Sequence, residues 1–424
     1  MTIIRRTFIL VWFLILLTTG CAPAPTNSNT TVSTQPSPSP SASPSPTTTT
    51  DTASVQITLP LLDALFTDDK FVARVKKDLK LNDQQIDELK NVSGSAVARL
   101  RESNIEDQDD NDASDAPARA QEQLRSVLGE EKARDLTKLA NEYWSKGDAS
   151  EASTDSVQML KGPNAVPTDT RVVVNIPAFR MDLFQDGSLV KSYKVGIGYP
   201  EFPLPQGLRK AQQIIFNPTW TPPDSPWVAK MKNVSPGETV EAGDKDNPLG
   251  PIKIPIGLPS LIHGGKSPAK IGKFASHGCV GLTNAQIKDF ATMLGQISNT
   301  PDVPTKMATY LEDKEKTQTV KLNQTVPVEL RYETIVIEDG KLHIYRDVYA
   351  QDTNTEENLR RVLEANGLKL EDLSEQQRTQ ILNALNSKPK KEVVIDLGTV
   401  AQKGYPAPVD LDTGTGKKPA SKRT

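Results

Sequence analysis

The feature that most limits what this chain can become is a change of apolar period near Thr170. Val172, Val174 and Ile176 alternate with their neighbours, the spacing of a strand that lays one face on a core. Residues 181–184 lead into Asp186-Gly187, a pair suited to a type I′ hairpin because both central residues must take positive φ. Val190, Tyr193, Val195 and Ile197 form the return strand. Short strands broken by Pro and Gly continue through Leu282, and a helix is expected over 284–294. A late hairpin, 326–337 with 341–347, turns at Asp339-Gly340. The expectation is a mainly-β domain with little helix.

Upstream the period is helical. Val72, Val75 and Leu79 recur at three- and four-residue steps, as do Ile86 with Leu89, and Leu136 with Leu139 and Tyr143. Asn82 and Gln85 have capping-box spacing and are expected to start a second helix. An acidic run over 106–115 interrupts this pattern and reads as a loop. Near the C-terminus, 359–363 and 373–385 read as two short amphipathic helices, the second with Ser374 and Gln377 as a capping box. The last residues, 414–424, are polar and basic and read as a disordered tail.

The N-terminus carries an export signal. Arg5 and Arg6 precede an unbroken apolar run over 8–17, and small residues lead to Cys21. The run is about half the roughly 20 residues that span a bilayer, which excludes a transmembrane helix as the first reading. Cleavage before Cys21 with lipidation of its thiol is expected, and Ala22 is compatible with outer-membrane sorting. Pro, Ser, Thr, Ala and Asn then dominate to residue 50, a segment with nothing to bury that reads as an extended tether. With a net charge of −3 the chain has no basic field for nucleic acid.

The chain has two cysteines. With Cys21 lipidated, Cys279 has no partner for an intramolecular disulfide. It closes Ser276-His277-Gly278-Cys279, and a second histidine, His263, precedes Gly264-Gly265. A cysteine attacks as thiolate and needs a group that lowers its pKa or takes its proton. Gly278 permits a tight turn in which the backbone N–H groups of Gly278 and Cys279 converge as an oxyanion site. Residues 277 and 279 are two apart on an extended segment and share a face, so either histidine can serve as the base on this evidence. One cysteine with two histidines and no fourth ligand is a poor zinc set, and no metal or cofactor is expected.

These motifs resemble the YkuD-type L,D-transpeptidases. The likeness rests on His263-Gly264 followed by Ser276-His277-Gly278-Cys279-Val280. It is supported by Asn217-Pro218-Thr219-Trp220-Thr221-Pro222-Pro223, by Asn247-Pro248-Leu249-Gly250, and by Asn284. The resemblance implies Cys279 as nucleophile, His263 as general base and later acid, the Gly264 carbonyl orienting the His263 ring, and Gly278 as an oxyanion donor. It implies substrate contacts from Ser276, His277, Trp220 and Asn284. The implied fold is a β-sandwich or mixed barrel, the substrate a peptidoglycan stem peptide, and the reaction acyl transfer without a cofactor. Hydrolysis through the same nucleophile, and a wall-binding role centred on the helices, are the competing readings. Two departures stand out. Gly281 occupies the place where the family usually carries Arg, and Pro205-Gln206-Gly207 replaces a Pro-Thr-Gly turn.

The expected organisation is a signal peptide (1–21), a tether (22–54) and a helical domain (55–150) that reads as a packing module, with a protein partner as the alternative role. A catalytic domain (168–310) follows, extended by a hairpin (311–350), a short helical segment (351–390) and a largely disordered tail (391–424). The expected location is the cell envelope, lipid-anchored outside the cytoplasmic membrane.

Overall fold

The computed structural model describes residues 57–102, 116–146, 158–222, 228, 233–235, 237–257, 260–398 and 404–415. The leader with Cys21, the tether and the acidic run lie outside the described residues. Among the described residues no helix is long and apolar enough to cross a membrane.

Five helices come first: α1 (Leu59–Phe66), α2 (Asp69–Leu79), α3 (Asp83–Glu102), α4 (Ala116–Leu128) and α5 (Glu130–Lys146). Side-chain caps set their starts. Thr58 accepts from the Leu61 N–H and Asp68 from the Lys70 N–H. Asn82 and Gln85 exchange side-chain and backbone bonds at 2.8 and 3.2 Å, and this box starts α3 rather than a second helix. The helices close on an apolar core that includes Leu61, Leu65, Phe71, Leu124, Leu136 and Trp144.

The β region contains β1 (Arg171–Asn175), β2 (Arg180–Gln185), β3 (Ser188–Lys194), β4 (Ile197–Gly198), β5 (Gly207–Phe216), β6 (Ile252–Pro255), β7 (Leu261–His263), β8 (Phe274–Ser276) and β9 (Val280–Gly281). Helices α6 (Asn284–Ile297) and α7 (Val303–Tyr310) lead to β10 (Gln318–Arg331). Eight strands form one mixed sheet in the order β3-β2-β1-β10-β5-β6-β7-β9, parallel at β1/β10 and β7/β9. Strands β4 and β8 make a separate parallel pair. Ile287, Phe290, Ala291 and Leu294 of α6 complete the core over the sheet. The β2–β3 turn has positive φ at both Asp186 and Gly187, as a type I′ turn requires.

Two expectations near the C-terminus are corrected. The segment 326–337 is not one hairpin arm. It breaks after β10, which runs between β1 and β5, and resumes as β11 (Ile335–Glu338). The hairpin at Asp339-Gly340 joins β11 to β12 (Lys341–Ile344) in a second sheet, completed by β13 (Val393–Asp396). Helices α8 (Glu356–Ala365) and α9 (Glu375–Asn386) share the core of that sheet.

The segment beyond 391 is also more ordered than expected. Its β13 pairs with β12, Tyr405 bonds to Ile337 of β11, and 409–412 runs along the edge of β3, with Ser192 N–H on the Val409 carbonyl at 2.9 Å and Lys194 N–H on that of Asp412 at 2.9 Å. An open strand edge is a strong template, and this segment satisfies it. Arg180 ties the layers together, bonding to Asp182, to Glu338 and to the Pro406 carbonyl.

Candidate active site

The site is built where the parallel pair β7/β9 ends. Ile262 is fully buried in the sheet core, so its neighbour His263 projects to the opposite face. The register pairs Ile262 with Val280 and His263 with Gly281. Paired residues of a sheet share a face, and residue 279 lies two positions before 281. His263, Cys279 and Gly281 therefore address the same side of the sheet.

Cys279 is presented by a turn held by two internal hydrogen bonds and by one tie on each flank. Gly278 has φ +92°, a left-handed conformation that a side chain would strain. The Cys279 N–H donates to Ser276 Oγ at 3.0 Å, and the same hydroxyl donates to the Cys279 carbonyl. From β7's side, Ser260 Oγ donates to the Gly278 carbonyl at 2.9 Å. The Tyr199 N–H donates to the Ser276 carbonyl at 2.9 Å, holding the other flank. The sulfur is thus carried on a closed loop of backbone rather than on a free one.

His263 is 3% exposed, and its Nδ1 lies 2.7 Å from the Gly264 carbonyl oxygen. Burial pushes its pKa down to about 3, helped by Lys266 and Lys253 and opposed by the carbonyls of Gly264 and Leu249. Burial raises the half-buried Cys279 thiol, against a hydrogen bond from the Leu261 backbone and the charge of Lys266. The resting pair at neutral pH is therefore a thiol beside a neutral imidazole. A neutral imidazole of this kind can take up a proton and return it.

The other anticipated residues are distributed differently. Ser276, expected to touch substrate, is 4% exposed and spends both hydrogen-bonding roles locking the turn. Asn284 Oδ1 accepts from the Gly265 N–H at 2.8 Å and so anchors the loop after His263. Trp220 packs on Val228, Val234 and Val240. The Cys279 N–H is engaged by Ser276, so of the two expected oxyanion donors Gly278 is the one not tied to that hydroxyl. His277 exposes its ring between Tyr199 and Phe202, at centroid distances of 5.6 and 4.7 Å. Its pKa is lowered by the surrounding protein first and by Lys266 second.

Three participants went unread in the sequence. Ser260 carried no motif. Lys266 was not singled out either. Trp144 of α5 reaches the turn from the helical region: a Cβ placed on Gly278 would lie 3.8 Å from its Cη2. Val97 of α3 joins Tyr199 and Phe202 in a small apolar cluster on the same flank. Only the amphipathic stripe that buries Trp144 was legible, not what it covers.

Residues 169–321 match the YkuD family model, described as the L,D-transpeptidase catalytic domain. The probable L,D-transpeptidase ErfK/SrfK of Escherichia coli (strain K12) is 30% identical over 122 residues, which are 28% of this chain and 38% of that protein. The chain thus spans well under half the length of that relative. Among solved structures, the catalytic domain of the E. faecium L,D-transpeptidase is 17% identical and covers 39% of this chain and 100% of its own, with a TM-score of 0.26. An L,D-transpeptidase from Mycobacterium smegmatis is 16% identical over 38% of this chain and 58% of its own, with a TM-score of 0.23. The segment that matches this family model, 169–321, holds every residue from His263 to Asn284.

Proposed function

We propose that this protein is a peptidoglycan L,D-transpeptidase that works through a Cys279 thioester. The observation that carries the reading is the 2.7 Å contact between His263 Nδ1 and the Gly264 carbonyl, in a strand registered beside the cysteine turn. A carbonyl acceptor at Nδ1 favours the tautomer with its proton there, which leaves Nε2 as the base.

Sulfur attacks the carbonyl carbon of the third residue of a tetrapeptide stem, and its proton passes to His263. The oxygen gains negative charge, with the Gly278 N–H as a donor to it. The C–N bond to the terminal D-alanine breaks, and the leaving amine takes the proton from the imidazolium. An amine of a second stem then attacks the thioester, His263 takes its proton, and the sulfur leaves and is reprotonated. Because the resting pair is neutral, the thiolate forms as substrate arrives and is protected from idle oxidation. Placement in the envelope through a lipid on Cys21 is supported by the leader and tether.

The test is incubation of the protein, without its leader, with disaccharide-tetrapeptide and mass spectrometry of the products. Cross-linked dimers that vanish in Cys279→Ala are expected. Trimmed monomer alone would assign hydrolysis instead, and no turnover with retained binding to sacculi would overturn the enzyme reading.

A further inference from the structure

The conspicuous departure at the site is Gly281, and its surroundings explain it. A Cβ built on Gly281 would sit 2.8 Å from Cγ, 2.9 Å from Cε and 3.3 Å from Cδ of Lys266. These distances exclude a side chain unless the lysine moves, since atoms in contact do not approach so closely. The space beside strand position 281 is therefore occupied by the Lys266 stem. The backbone delivers it there: the Lys266 N–H donates to the Leu282 carbonyl at 3.0 Å, and the Leu282 N–H donates to the His263 carbonyl at 2.8 Å. A loop residue is thereby stitched to the strand that follows the nucleophile.

We propose that Lys266 is a positioning residue of the Cys279 site, its ammonium group entering over the bare face of Gly281 to favour the thiolate form of the sulfur. The proposal deepens the acyl-transfer reading and rests on it for its catalytic meaning. Lys266 acts electrostatically on Cys279, on His263 and on His277. The remaining groups that bear on this cluster are cations too, Lys253 on His263 and Lys270 on Lys266. Burial disfavours the charged form of Lys266 and holds its pKa below the ordinary lysine value, and a negative charge on the sulfur, when it forms, opposes that effect. The pair is reciprocal: each group is easier to ionise when the other is charged. An arginine at 281 and a lysine at 266 would compete for one volume, so the chain places a single cation at the sulfur from the loop instead of from the strand.

The experiment reads the thiol directly and needs no turnover. Alkylation of Cys279 by iodoacetamide is followed by mass spectrometry across pH in the wild type, Lys266→Met, Lys266→Arg, Gly281→Arg and the double variant Lys266→Ala/Gly281→Arg, with circular dichroism of each. In Lys266→Met the pH midpoint should rise by about one unit, which slows alkylation near neutral pH about tenfold. Lys266→Arg should keep the midpoint close to the wild type. Gly281→Arg alone should perturb the turn and alter the profile, while the double variant, which exchanges the two occupants of the space, should return the midpoint toward the wild type. Coincident profiles for folded wild type and Lys266→Met overturn this inference and leave the acyl-transfer reading standing. A wild-type Cys279 unreactive at every pH overturns both.

Discussion

Acid should unfold this protein partly through His263, and the size of the effect follows from its surroundings. The ring is 3% exposed and its pKa is pushed down to about 3 from an ordinary 6.5, chiefly by burial. In the unfolded chain the imidazole accepts a proton near its ordinary value; in the folded protein it resists until the solution is far more acidic. Between the two, the unfolded state binds one proton more, so stability falls as pH falls. Above the ordinary value the contribution is nil. Below it the loss grows by about 1.4 kcal/mol per pH unit, to at most about 5 kcal/mol across the interval. That is comparable with the whole stability of many domains, about 5–15 kcal/mol. The assay is urea unfolding from about pH 7 to about pH 4 on wild type and His263→Gln, which has no ring to titrate. Carboxylates, His277 and His343 are common to both proteins and cancel in the difference. By about pH 5 the wild type should have lost about 2 kcal/mol more than the variant. Parallel curves would mean that the imidazole protonates in place near its ordinary value, and the downward shift assigned to its burial would be wrong.

Two further substitutions probe how the turn is held. Ser260→Ala deletes the 2.9 Å bond to the Gly278 carbonyl and leaves that acceptor buried, at a cost of about 1–3 kcal/mol in urea unfolding. Acyl transfer should fall further than stability does, and equal, small losses in both would deny Ser260 a part in positioning the turn. Trp144 tests the helical region: its Nε1 is buried with no hydrogen-bond partner among the described residues, so Trp144→Phe should change stability by less than about 1 kcal/mol, whereas Trp144→Ala should cost about 3–5 kcal/mol. A large penalty for the Phe variant would reveal a bond to the indole.

What was legible in the sequence was local. The period of two at Val172, the positive-φ pairs Asp186-Gly187 and Asp339-Gly340, and the capping residues at Asn82 and Ser374 each dictate structure within a few positions. The order of strands does not reduce to such signals. Strand β10 lies between β1 and β5, although well over a hundred residues separate it from β1 in sequence, because Val326, Val328 and Leu330 complete a core begun at Val172. The segment 404–415 reads as part of a largely disordered tail because, apart from the buried Tyr405, its contribution is backbone hydrogen bonds, to β11 and to β3, which composition does not report.

The same limit applies at the site, and it decides how Gly281 should be understood. Motif comparison works one position at a time and counts a missing charge where Arg is expected. Packing is not divided by position: the volume over residue 281 and the stem of Lys266 are the same space, fifteen residues apart in sequence and in contact in the fold. A glycine there is then the condition for the lysine rather than a loss, because any side chain at 281 would force Lys266 away from the sulfur. On this reasoning Gly281→Ala, the smallest possible addition, perturbs the site more than its size suggests, and adding Arg at 281 alone cannot repair a charge that is already present.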